Sequence, residues 1–109
     1  MAPARLDAAR MRRHANEASQ LLKALANEKR LQILCLLAEG ERSVGQLNAL
    51  LDLSQSALSQ HLAVLRADGV VTTRREAQAI IYSLAAGPAR QIIETLHDIY
   101  CGTGRTKGT

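Results

Sequence analysis

The stretch SVGQLNALLDLSQSALSQHLAVLRADG, residues 43–69, decides the fold. Ser43-Val44-Gly45-Gln46 has the S-x-x-Q form of a capping box, in which the hydroxyl and the amide satisfy free backbone N–H groups at a helix start. Val44, Leu47 and Leu50 then fall on one side of a short helix. Leu51-Asp52-Leu53 breaks it. Ser54 is a second N-cap, and Leu58, Leu62 and Leu65 mark another helix that ends near Asp68-Gly69. Two short helices joined by about three residues form a helix-turn-helix, the arrangement that lays its second helix in a DNA major groove.

Downstream of Gly69 the period changes from helical to extended. Val70-Val71-Thr72-Thr73 and Ile80-Ile81-Tyr82-Ser83-Leu84 are β-branched or aromatic runs separated by a polar linker, Arg74 to Ala79, and read as a hairpin. A hairpin directly after a helix-turn-helix is a wing. Gly87-Pro88 starts a further helix, with Ile92, Ile93, Leu96, Ile99 and Tyr100 on its apolar side. Gly102 stops it, and residues 102–109 are too polar to fold by themselves. Upstream, Asn27 caps a helix in which Leu31, Ile33, Leu34, Leu36 and Leu37 leave little polar face, so this helix should be the buried one, ended by Gly40. Before it, Ala18, Leu21, Leu22 and Leu25 form a narrow apolar stripe that needs a partner surface. The expected fold is mainly α with a small β-hairpin, a winged helix-turn-helix in the order α-α-α-α-β-β-α. It occupies residues 15–101, between an N-terminal stretch (1–14) that reads as a flexible arm or the loose start of the first helix and a flexible tail (102–109).

With 109 residues the chain fits one domain, and with no Trp or Phe its core must come from Leu, Ile, Val and Ala. Fourteen Lys and Arg against ten Asp and Glu favour a polyanionic partner. Arg5, Arg10, Arg12 and Arg13 crowd one end, Arg74 and Arg75 sit together, and Arg105 and Lys107 lie in the tail. The opening MAPARLDAARMRRHANE lacks an apolar targeting segment, and no run approaches the roughly 18 apolar residues that cross a bilayer. A cytoplasmic protein that does not enter a membrane is expected. In that reducing compartment Cys35 and Cys101 are either inert buried thiols or a reversible chemical device.

On the second helix of the motif the inward leucines leave Gln55, Ser56, Ser59 and Gln60 on the exposed N-terminal face. Gln forms a paired hydrogen bond to adenine and Ser serves several base edges, whereas a merely soluble helix would more often carry Glu and Lys. His61 falls beside Leu58 and Leu62, in a packing or a phosphate role. Arg74 and Arg75 could neutralise phosphates or enter a minor groove, with Gln78 nearby, or simply decorate a solvated hairpin tip. Lys29 and Arg30 could also face the DNA backbone.

The strings ANEKRLQIL (26–34), LSQSALSQHLAVLRADGVV (53–71) and RREAQAIIYSL (74–84) resemble ArsR-type winged-helix repressors across some three quarters of the chain. Within that family they look most like the dithiol persulfide and redox sensors of the BigR, SqrR and HlyU group. The resemblance implies a homodimer built through the first and last helices, binding double-stranded DNA at an inverted repeat and repressing. It puts Gln55, Ser56, Ser59 and Gln60 in the recognition-helix string and Arg74 and Arg75 in the wing. Local sequence does not bring Cys35 and Cys101 together, but the resemblance does: one cysteine follows R-L-Q-I-L and the other H-x-I-Y. It implies that reactive sulfur species or oxidants link the two as a disulfide or polysulfide and so change DNA affinity. His97, one turn before Cys101, could when protonated offset the unfavourable helix end for a thiolate, or could be an ordinary surface residue.

The alternative within the same fold is a metal- or haem-responsive repressor using Cys35, Cys101 and His97. The stretch 43–50 has no cysteine, and Glu94, His97 and Asp98 are too few for a tetrahedral bridging site, so no metal and no cofactor are expected. A cysteine enzyme is not expected, because there is no C-x-x-C and no nucleophile with a base at recognisable spacing. A winged protein-interaction module that does not bind DNA is the third class.

Overall fold

A computed structural model describes residues 7–101. Five helices and three short strands follow in order: α1 (Ala8–Leu25), α2 (Glu28–Ala38), β1 (Arg42–Ser43), α3 (Val44–Leu50), α4 (Gln55–Ala67), β2 (Val71–Glu76), β3 (Ala79–Leu84) and α5 (Pro88–Cys101). The caps read from the sequence are formed. Asn27 Oδ1 accepts from the Arg30 N–H at 3.0 Å, and Ser54 Oγ accepts from the Ala57 N–H at 3.1 Å. Ser43 and Gln46 close the reciprocal box, at 3.1 Å from the Gln46 N–H and 2.8 Å from the Ser43 N–H. Each bond satisfies a backbone donor that a helix start otherwise leaves open.

The core is aliphatic, as a chain without Trp or Phe requires. Ile33, Leu34 and Leu37 of α2 meet Leu47 of α3, Leu58, Leu62 and Leu65 of α4, and Ile93 of α5. Helix α2 packs against α5, α4 and the sheet, which makes it the central element. Gly69 has φ +73, the left-handed region, and reverses the chain out of α4 so that Val70 and Val71 enter the core.

Three boundaries differ from the sequence reading. Helix α1 begins at Ala8, inside the stretch expected to be a flexible arm, because Asp7 accepts from the Arg10 N–H at 2.8 Å and Ala-Ala-Arg-Met-Arg-Arg is a run of strong helix formers. Residues 1–6 and the expected tail, 102–109, lie outside the described residues. The supposed linker Arg74–Ala79 is mostly strand: β2 runs to Glu76 and β3 starts at Ala79, leaving Ala77 and Gln78 as the turn. The two-stranded wing is also a three-stranded antiparallel sheet of order β1-β3-β2, in which Arg42 pairs with Tyr82 and Ser43 with Ile81. Strand β1 is too short to show a period, and only its pairing with β3 defines it.

Candidate nucleic-acid interface and thiol site

Helix α4 divides its side chains as the leucine spacing requires. Leu58, Leu62 and Leu65 are fully buried, while Gln55, Ser56, Ser59 and Gln60 are all exposed around its first turns. Ser56 Oγ lies 3.3 Å from Ser54 Oγ, so the cap and the exposed face share a small hydroxyl cluster. His61 is half-buried on the flank of the helix, between the leucine face and the open one.

The wing does not treat its two arginines alike. Successive side chains on a strand point to opposite faces, so Arg74 and Arg75 diverge. Arg74 is paired with Glu41 and, at 3.3 Å, with Glu76. Its guanidinium holds the Glu41 carboxyl below the usual range. Arg75 is exposed and has no ion pair among the described residues. Two carboxylates around one guanidinium leave the Arg74 cluster with no spare positive charge. The sequence did not announce this, since Glu41 lies far from the wing along the chain.

Cys35 on α2 and Cys101 at the end of α5 are both free thiols, and they border the same two shallow hollows. The larger, about 520 Å³, is walled mainly by apolar surface including Ala26 and Leu31. Cys35 is half-buried and Cys101 exposed. Burial first, and the nearby Cys101 and Glu39 next, push the Cys35 thiol above its ordinary pKa, so it is protonated at neutral pH.

His97 is not a surface residue: it is 9% exposed, in the α2–α5 contact. Its Nε2 donates to Glu39 Oε2 at 2.9 Å, because an ionised carboxylate can only accept. That bond, ahead of the charges of His97 and Arg42, lowers the Glu39 carboxyl below its ordinary value. Glu39 Oε1 takes a second donor, Arg42 Nη2, at 3.2 Å. The sequence reading missed Glu39, Glu41 and Arg42, and no local pattern marks them. Among the described residues, no three His, Cys, Asp or Glu side chains are grouped to hold a metal ion, and no helix is long and apolar enough to cross a membrane.

Two capped helices with a polar outward face, followed by a short sheet, define a winged helix-turn-helix protein. Residues 27–73, from the cap of α2 into β2, match the family described as "Bacterial regulatory protein, arsR family". The chain is 56% identical over 91 residues to the transcriptional activator HlyU of Vibrio cholerae, covering 84% of each protein. It is 52% identical over 91 residues to the biofilm growth-associated repressor of Agrobacterium fabrum, covering 84% of this chain and 78% of that one. The crystal structure of the transcriptional repressor BigR from Xylella fastidiosa superposes with a TM-score of 0.80 at 41% identity, over 89% of this chain and 96% of that one. The chain therefore belongs to the arsR family of bacterial regulatory proteins. It is a transcriptional regulator.

Proposed function

We propose that the chain is a homodimeric repressor that binds an inverted-repeat DNA operator and releases it when Cys35 and Cys101 are bridged. What carries the sensing part is the convergence of the two thiols on one hollow from separate helices. Gln55, Ser56, Ser59 and Gln60 read base edges, with His61 and Arg75 at the phosphates and Arg74 anchoring the wing.

Dimerisation is supported by unpartnered helix surface. Apart from Leu21, Ala24 and Leu25, helix α1 is exposed along its length, and Leu22 is 53% exposed. On α5, Ile99 and Tyr100 are 64% and 79% exposed. Helices in proteins draw most of their stability from packing an apolar face, and this 18-residue helix packs little of its own on the rest of the chain. A second copy, offering the same α1 and α5 faces about a two-fold axis, buries both.

With an alkyl persulfide as oxidant, the exposed Cys101 thiolate attacks the outer sulfur and expels the alkyl thiolate, leaving Cys101 persulfidated. Cys35 then gives up its proton and attacks the Cys101 sulfur, expelling hydrosulfide and closing a disulfide. Two thiols are oxidised and the persulfide is reduced to thiol and sulfide. With a second equivalent of alkyl persulfide, the Cys101 persulfide attacks its outer sulfur, expels another alkyl thiolate and gains one sulfur; Cys35 then attacks the middle sulfur and expels hydrosulfide, closing a trisulfide.

The test is an anisotropy titration of the chain's own upstream DNA with reduced, peroxide-treated and polysulfide-treated protein, with intact mass measured in parallel. Release accompanied by a bridged mass is expected, and Cys35→Ser and Cys101→Ser should stay bound. Normal release by either variant refutes the thiol switch. Release dependent on bound metal or haem replaces it with the other sensing chemistry.

A further inference from the structure

We propose that Glu39 is a positioning residue that carries the state of the thiol pair to the helix-turn-helix, gripping His97 of α5 with one carboxylate oxygen and Arg42 of β1 with the other. The inference rests on the thiol switch proposed above and names its route through the protein.

The geometry is that of two rungs between two helices. Glu39, the C-cap of α2, lies one turn after Cys35, and His97 one turn before Cys101 on α5. The Cys35–Cys101 pair is therefore one rung and the Glu39–His97 hydrogen bond the next, about 6 Å away along the helices at 1.5 Å per residue. Closing the thiol rung sets a new spacing between the ends of α2 and α5. The neighbouring rung is a hydrogen bond of 2.9 Å to a buried imidazole, which tolerates little displacement before it weakens.

What the second rung holds is the entrance to the DNA-reading motif. Glu39 caps the end of α2, and its other oxygen meets Arg42 Nη2 at 3.2 Å. Arg42 is fixed again by its Nε, which donates to the Leu36 carbonyl at 3.2 Å, and by pairing with Tyr82 in the sheet. The next residue is Ser43, the N-cap of α3. From Cys101 to the start of the helix-turn-helix the path is one helical turn, one hydrogen bond, one ion pair and one peptide bond. Gly40 sits in the middle with φ +153, a conformation glycine adopts readily, and lets Glu39 and Arg42 meet across the corner. Bridging that pulls His97 away frees Glu39, loosens Arg42 and shifts Ser43, and so changes the tilt at which α3 presents α4.

The experiment compares operator Kd before and after bridging, on full-length protein whose bridge is verified by intact mass, in wild type, Glu39→Ala, His97→Ala and His97→Gln. Glu39 is half-exposed and outside the core, so Glu39→Ala keeps the test open if the buried His97→Ala variant misfolds. The expected result is that Glu39→Ala and His97→Ala still form the bridge and still bind DNA when reduced, but lose about tenfold in the ratio of bridged to reduced Kd, within the range of coupling between sites. His97→Gln, whose amide N–H can still donate to Glu39, should regain most of that ratio. A wild-type ratio kept intact in Glu39→Ala overturns the relay alone. A wild-type protein whose Kd does not respond to bridging overturns the thiol switch and the relay with it.

Discussion

Replacing Arg75 by Gln should make operator binding less sensitive to salt, and replacing Glu41 by Gln should strengthen binding at low salt. The two effects follow from the different company the wing arginines keep. Arg75 is exposed without an ion pair among the described residues, so its charge is available to a phosphate. Arg74 is enclosed by Glu41 and Glu76, and an approaching phosphate meets their negative charge as well. Each phosphate contact contributes about 0.9 to the slope of log affinity against log salt. A dimer has two wings, so Arg75→Gln should make the slope shallower by about 1.8, and between 0.05 and 0.2 M salt the variant's deficit should shrink by about twelvefold. Glu41→Gln removes one of the carboxylates and acts in the opposite direction, with the gain fading as salt screens it. Fluorescence anisotropy over a salt series, with folding checked by thermal melts, reads both. An Arg75→Gln slope equal to that of wild type, or weaker binding by Glu41→Gln, refutes the assignment of Arg75 as the phosphate contact and Arg74 as the anchor.

Gln60→Ala should cost about 1–3 kcal/mol of discrimination between operator and base-substituted DNA if its amide reads an adenine, while stability stays within about 0.5 kcal/mol because the side chain is exposed; competition binding and denaturant titration separate the two. Leu62→Ala, at a fully buried position where α4 meets the core, should destabilise the protein by about 2–5 kcal/mol in urea unfolding at fixed protein concentration. Ala77→Gly should raise stability by about 1 kcal/mol, since Ala77 holds φ 56 in the wing turn, where a Cβ is crowded; an unchanged or lowered Tm contradicts this. The Glu39 carboxyl is lowered by the hydrogen bond from His97, so its contribution to stability is present above its ordinary value of 4.5 and disappears as pH falls through its lower folded value. The Tm of wild type should accordingly drop more steeply below pH 4.5 than that of Glu39→Gln, by an amount reduced by solvent screening.

Most of the fold can be read without coordinates because it is written in local chemistry. The caps at Asn27, Ser43 and Ser54 act on N–H groups three residues away, and the leucines of α4 recur at the helical period whatever surrounds them. The exposed face of Gln55, Ser56, Ser59 and Gln60 follows from that same period. Misreadings occur where the determinant is not local. Arg74, Arg75 and Glu76 look like a loop because β2 is exposed there, and its hydrogen bonds to β3 make it a strand despite its polar composition. Strand β1 exists only as a partner of β3.

By itself, the sequence determined the number and order of the helices, which side of α4 faces inward, and the positive charge of the chain, because each depends on neighbours within a turn or on composition. Tertiary structure decided that Cys35 and Cys101 share a hollow, which local sequence does not show and only a family resemblance suggested, and it alone decided that Glu39 joins His97 to Arg42 and that Glu41 occupies Arg74 but not Arg75. These contacts join groups far apart along the chain, and their partners are chosen by how the helices pack rather than by any spacing a sequence displays.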